Sequence, residues 1–394
     1  MSGPLTGLKM LDFSTLLPGP YASMLLADLG VEVLRISSGT RVDFAEHMAP
    51  FVSEKRISAN LAWLGRGKRT MTLNLKSDRA LGMVRELVKE YDIILEQFRP
   101  GVMEKLGLGY ADLKEINPAL IYCSLTGYGQ SGPMSPKAGH DINYLSRAGV
   151  MAHSGLRKAG PVLTGMQIAD VAAGSSNAVI GILAAVLHRS AGGRGQHIDI
   201  SMTDGALAFN TFAGAALLAD GSLEPQREGE LLNGGSLYDF YITKDDRYIS
   251  FGGLEPKFFE AFCKVVGCPE LIEQGVVPKD LEKVKEQVGQ RIKTRTRDEW
   301  VAEFSGVDAC VEPVLSLAEA LNDSHIRSRG MVVDLELPEG GSVEQIANPI
   351  IFSETRPQYH KIGEVTGTHT REVVMGLGYS AEDFEEFKKI GVFD

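Results

Sequence analysis

A strand, a helix and a second strand follow one another at the start of this chain, and that succession limits the fold more than any other feature. Leu8-Lys-Met-Leu-Asp-Phe13 is an apolar strand-like run, Pro18-Gly-Pro20 breaks the chain, residues 21–29 are helical in composition, and Gly30 precedes a second strand at 31–36. Strands joined through a helix run parallel, so the sequence predicts an α/β fold built on a Rossmann-like parallel sheet. The pattern recurs with a strand at 70–75, a helix at 81–89 and strands at 91–96 and 120–125. The fingerprint G-x-G-x-x-G is absent and Pro18-Gly-Pro20 does not replace it, which argues against a nicotinamide dehydrogenase.

Past Glu224-Pro-Gln-Arg-Glu-Gly-Glu230, a polar linker, the pattern changes. Residues 238–243 and 248–251 flank Lys244-Asp-Asp-Arg247 as an antiparallel hairpin, followed by helices at 256–266, 281–293 and 298–304. From about residue 324 the chain is extended again, and it ends in a helix at 381–389. The expected organisation is a large domain over 1–222, an inserted small α+β domain over 223–324, and a return to the large domain over 325–394. An insertion reached by two long linkers allows two subunits to thread through each other.

A net charge of −11 argues against a nucleic-acid partner. An acidic chain that binds a polyphosphate must gather its cations locally, so basic clusters are informative here. One begins at Arg56 and runs through Gly65-Arg-Gly-Lys-Arg69; another is Phe98-Arg-Pro-Gly101. Arg66, Lys68, Arg69 and Arg99 are thereby expected at strand edges and loops, where ligands of α/β sheets bind. Such cations are ordinarily solvated surface charge. The four cysteines have no CxxC spacing, so neither a zinc site nor a disulfide framework is expected, and a cytoplasmic setting fits. No metal and no separate cofactor is expected. The N-terminus has no secretory signature, and the longest apolar run, 178–187, is too short to span a bilayer, so no membrane partner is expected.

Two short motifs carry the chemistry. Ala138-Gly-His-Asp-Ile-Asn-Tyr144 opens a helix after a Gly/Pro-rich loop, and Thr164-Gly-Met-Gln-Ile-Ala-Asp-Val171 leads into a small-residue helix at 171–187. A carboxylate at a helix start sits in the positive end of the macrodipole. His140 and Asp170 make an acid/base pair in principle, although such residues are more often caps than catalysts.

With Arg194-Gly-Gln-His-Ile-Asp199 and Gly253-Leu-Glu-Pro-Lys-Phe-Phe259, these motifs resemble the α-methylacyl-CoA racemases of the family III CoA-transferase (CaiB/BaiF) superfamily. The likeness runs from Leu5 to Tyr379. It implies a racemase that inverts the α-carbon of a 2-methylacyl-CoA thioester through an enolate, with His140 and Asp170 as the two acid/bases and Glu255 paired to the histidine from the partner subunit. It also implies an acyl-CoA substrate, an interlocked homodimer, and coenzyme A contacts from Arg66, Lys68, Arg69, Arg99, Asp141 and Tyr144. Relatives often carry a further cation after the second strand. Ser37 and Ser38 stand there in this chain, leaving that contact weaker or to Arg35 or Arg41. Backbone N–H groups after Asp170 are expected to hold the thioester oxygen. In the transferase branch the same Asp170 is instead a nucleophile that captures the acyl group and passes coenzyme A between carboxylic acids.

Overall fold

The structure, a computed structural model, describes residues 3–40, 43–52, 57–221 and 224–393. Arg41 and Arg56 lie outside the described residues. The frame is a six-stranded sheet of β1 (Lys9–Asp12), β2 (Glu32–Ser37), β3 (Lys68–Thr72), β4 (Ile93–Glu96), β5 (Ile121–Thr126) and β6 (His197–Ser201). Its spatial order is β3-β2-β1-β4-β5-β6 and every neighbouring pair is parallel. Strands covered on both faces need side chains that tolerate burial throughout, and β5 is buried along its whole length. The helix Asp78–Val88 turns Ala80, Met83, Val84, Leu87 and Val88 toward the sheet, joining Leu11, Leu34, Met71 and Ile94 in one core.

Strand order reverses between β1 and β4, and the crevice outside the carboxyl ends at such a point is where open α/β sheets bind ligands. The two loops are tied there by the Gly19 N–H donating to Gln97 Oε1 at 3.0 Å. Pro18 and Pro20 lie in the first turn of the helix Pro18–Asp28, where a missing N–H costs nothing.

The chain divides into two compact units. One comprises Met1–Ala148, Thr164–Phe209 and His325–Asp394; the other comprises Gly149–Leu163 and Asn210–Ser324. Gly149–Leu163 and the stretch from Asn210, placed with the large domain from sequence, thus fall in the second unit. The linker holds them there, with Arg227 Nε on the Ser154 carbonyl at 3.0 Å and Glu228 Oε2 on the Arg157 N–H at 2.7 Å. The second unit has an antiparallel sheet of β7 (Asp239–Ile242), β8 (Tyr248–Phe251) and β9 (Val311–Pro313). The helices Pro256–Val266, Leu281–Ile292 and Arg297–Phe304 cover it, around Phe251 and Phe262 stacked at 3.9 Å and a buried Trp300.

The returning segment adds a hairpin that sequence reading missed, β10 (Val332–Glu336) and β11 (Ser342–Ile346). It is docked by Arg66, whose Nη1 donates to the Ile346 carbonyl at 2.7 Å while Nε and Nη2 hold Asp28 at 2.9 and 2.7 Å. Lys68 is also withdrawn. β3 begins at residue 68 rather than 70, and Lys68 Nζ donates to the Pro20 carbonyl (2.8 Å) and Ser23 Oγ (2.7 Å), 3.5 Å from Asp12 Oδ2. Burial pulls its pKa down to about 8 against the opposing pull of Asp12. The expectation that Arg66 and Lys68 meet a ligand phosphate is therefore corrected: each neutralises a buried carboxylate, which unpaired is strongly destabilising. Arg35 is likewise engaged, by Asp43 at 3.0 Å and by Glu46, and does not supply the cation missing at Ser37 and Ser38.

Arg66→Lys is expected to cost about 1–3 kcal/mol of stability, because an ammonium cannot keep the forked pair with Asp28 and the Ile346 bond together. Thermal unfolding would show it, and KM for an acyl-CoA should stay unchanged; a raised KM without loss of stability would restore the ligand role.

Candidate active site

Past β5 the chain runs through Gly127 into the loop that carries His140. Gly127 and Gly139 must be bare: a Cβ there would lie 2.2 Å and 2.7 Å from Tyr144 Cε1. The Tyr144 ring fills that space edge-on to Tyr128 at 5.2 Å, and its hydroxyl donates to the Gly139 carbonyl. This closes the turn immediately before His140. His140 is the extended residue ahead of the helix Asp141–Arg147; its N–H donates to Asn143 Oδ1 at 3.0 Å and its carbonyl accepts from the Asn143 N–H at 2.8 Å. With the backbone so fixed, the residue stays exposed.

Asp170 is presented by a π-helical turn, Ala169–Ser176, which continues as the helix Asn177–Ser190. Such wide turns recur at functional sites because they push side chains out of the regular helical register. Ser175 Oγ lies 2.6 Å from the Pro18 carbonyl and 3.0 Å from that of Asp170, joining the turn to the helix Pro18–Asp28. The combined helix of 22 residues is long and apolar enough to cross a membrane by length and composition, contrary to the sequence estimate. Here Ala173, Ala178, Ile182 and Ala185 are buried, so one stripe of it serves the core.

The two motifs meet through Asp141. Its Oδ1 accepts from the N–H groups of Ala169 at 2.6 Å and Asp170 at 3.0 Å. Burial pushes the Asp170 carboxyl up to about 6; the Asp141 charge adds to this and His140 opposes it. Burial, then Asp170, pushes the Tyr144 hydroxyl up to about 12. A carboxyl poised near 6 beside an exposed imidazole can accept or release a proton near neutrality.

Other expectations fare differently. At the Asp170 helix start, the amides of Ala169 and Asp170 are engaged by Asp141 and that of Val171 by the Gln167 carbonyl at 2.9 Å, so these three are not free donors for a thioester oxygen. Asp141 and Tyr144, expected to contact coenzyme A, each hold a backbone group here: Asp141 the Ala169 and Asp170 N–H groups, Tyr144 the Gly139 carbonyl. Arg69 is ion-paired to Glu32 at 3.4 Å and Glu372 at 3.0 Å. Arg99 is exposed and, among the described residues, has no carboxylate partner. Glu255, in the second unit, is the exposed residue ahead of the helix Pro256–Val266; its carbonyl accepts from the Phe258 and Phe259 N–H groups at 3.0 and 3.1 Å while its carboxylate takes no part in the cap. Ser175 went unnoticed in the sequence, where it is one small residue among many.

A family model described as CoA-transferase family III matches residues 5–370. The chain belongs to CoA-transferase family III. It is 34% identical to the alpha-methylacyl-CoA racemase of Homo sapiens over 96% of this chain and 94% of that protein. It is 30% identical to the succinyl-CoA:glutarate CoA-transferase of Mus musculus over 99% of this chain and 90% of that one. The family III fold is shared with a solved CAIB/BAIF family protein from Brucella suis, with a TM-score of 0.83, 27% identity, and coverage of 96% of this chain and 100% of that one. Relatives named for racemisation and for coenzyme A transfer are thus similar to this family III enzyme to nearly the same degree.

Proposed function

We propose that this family III enzyme is a 2-methylacyl-CoA racemase in which His140 and Asp170 serve opposite faces of the α-carbon. The observation that supports this most is the juxtaposition of two unlike acid/bases, an exposed imidazole and a carboxyl held near 6. One takes the α-proton and leaves an enolate of the thioester; the other delivers a proton to the opposite face. Each ends in the protonation state the other had, and exchange with water restores the pair. Glu255 is part of the proposal as the carboxylate that steadies protonated His140, contributed by a second copy of the chain in an interlocked homodimer. A cytoplasmic setting belongs to the same reading, since Cys123, Cys263, Cys268 and Cys310 are free thiols.

Coenzyme A transfer is the second reading, favoured by the similarity to the glutarate transferase and by an Asp170 carboxylate free to attack a thioester. Incubation with a chiral 2-methylacyl-CoA in deuterated water, with and without an acid acceptor, separates them. Deuterium at the α-carbon supports the racemase; thioester appearing on the acceptor, with no deuterium, overturns it.

Of the four candidate cations, Arg99 is the one with no carboxylate partner among the described residues, and it is assigned to a coenzyme A phosphate. Arg99→Ala is expected to raise KM roughly tenfold, about 1.5 kcal/mol for a charge-assisted hydrogen bond, with kcat little changed. The effect should vanish with a thioester lacking the nucleotide portion, and an equal loss with both substrates would assign Arg99 a structural role.

A further inference from the structure

His140 and Asp170 are 30 positions apart in the sequence, yet one side chain connects the backbone segments that carry them. Asp141, the residue after His140, opens its own helix and reaches across to the first amides of the π-helical turn. Its single Oδ1 takes both the Ala169 and Asp170 N–H groups. Those amides lack intrahelical acceptors at a helix start, so an ionised acceptor there is strongly held.

We propose that Asp141 is a positioning residue of the proton-transfer site: by accepting from the Ala169 and Asp170 N–H groups, its carboxylate fixes Asp170 relative to the turn that presents His140. The inference rests on the racemase reading only for which reaction it serves, since Asp170 is central to the transferase chemistry as well. Coordinating the two segments matters because proton transfer to opposite faces of one carbon requires both groups to hold their places at once. A displacement of about 1 Å is enough to cost a hundredfold in rate.

Geometry is not the only consequence. The groups acting on Asp170 are Asp141 and His140, and the Tyr144 hydroxyl in turn responds to Asp170; Asp204 lies in the first turn of the helix Met202–Ala208, which packs against the π-helical turn. Asp141 is therefore a like charge beside Asp170 while its oxygen grips the backbone. Clasp and charge are separable by substitution. Asn keeps an acceptor oxygen and loses the charge; Ala loses both.

The test uses the full-length wild type, Asp141→Asn and Asp141→Ala. Deuterium incorporation from each enantiomer of a 2-methylacyl-CoA is followed by mass spectrometry, and the Asp170 carboxyl is titrated by infrared difference against Asp170→Asn. Asp141→Ala should slow exchange from one enantiomer roughly 10²-fold and from the other much less. Asp141→Asn should retain exchange to within a few-fold and lower the Asp170 midpoint by on the order of one unit, as removal of a like charge requires. Equal slowing of both enantiomers in Asp141→Ala, or an unmoved midpoint in Asp141→Asn, overturns the inference. A wild type that exchanges neither enantiomer but transfers coenzyme A to an acid overturns the racemase reading alone; transfer slowed roughly 10²-fold in Asp141→Ala and within a few-fold of wild type in Asp141→Asn then supports the positioning role, and undiminished transfer in Asp141→Ala overturns it.

Discussion

Asp170→Asn is expected to lower turnover by roughly 10²–10⁴-fold or more while leaving the protein folded, because the amide keeps the shape of the side chain and removes its basicity. The same substitution should raise stability at neutral pH. The folded carboxyl is held at about 6 against an ordinary 3.8, so the folded state binds this proton more tightly than the unfolded state. Stability from this group is fully present below 3.8, falls as pH rises toward about 6, and is level above. Asn never ionises and escapes that loss. Thermal unfolding of the variant should therefore occur at higher temperature than wild type at pH 7, with the gap closing near pH 4. Wild-type turnover by the variant would remove Asp170 from the chemistry, and a lower unfolding temperature at pH 7 would contradict the burial account of its raised pKa.

The parallel sheet was legible because apolar runs such as Ile93–Glu96 and Ile121–Thr126 alternate with helical stretches, and the hairpin of the second unit because its alternation and polar turn are local. The basic stretch at 66–69 misled because its partners are remote. Asp28 is 38 positions before Arg66, and Asp12 is 56 before Lys68. A signal was present: Asp12 follows the apolar pair Met10 and Leu11 at the end of a strand and Asp28 ends a largely apolar helix, and carboxylates in such places need cations. The β10–β11 hairpin was hidden by the polar, Gly-broken composition of an exposed ribbon. His140 and Asp170 were identifiable by motif, but not Asp141 as their connection. A carboxylate at a helix start reads as its own helix's cap, and nothing local reveals that its acceptor oxygen serves amides 28 and 29 residues further on.

His140→Ala carries the sharpest distinction. If the imidazole serves one face, its loss should cut racemisation by roughly 10²–10⁴-fold, the usual cost of a missing general acid/base. Asp170 remains, with Asp141 still bonded to its backbone, so the face it serves keeps a working base. Proton abstraction from one enantiomer should continue, and the enolate should be reprotonated from the side it left. Retained exchange without inversion is an outcome that general damage to folding or to substrate binding cannot produce. The decisive measurement is deuterium uptake at the α-carbon by His140→Ala in deuterated water, with each enantiomer supplied separately and configuration assayed alongside. The account predicts uptake from a single enantiomer with its configuration retained; loss of uptake from both enantiomers alike, with substrate still bound normally, would contradict it.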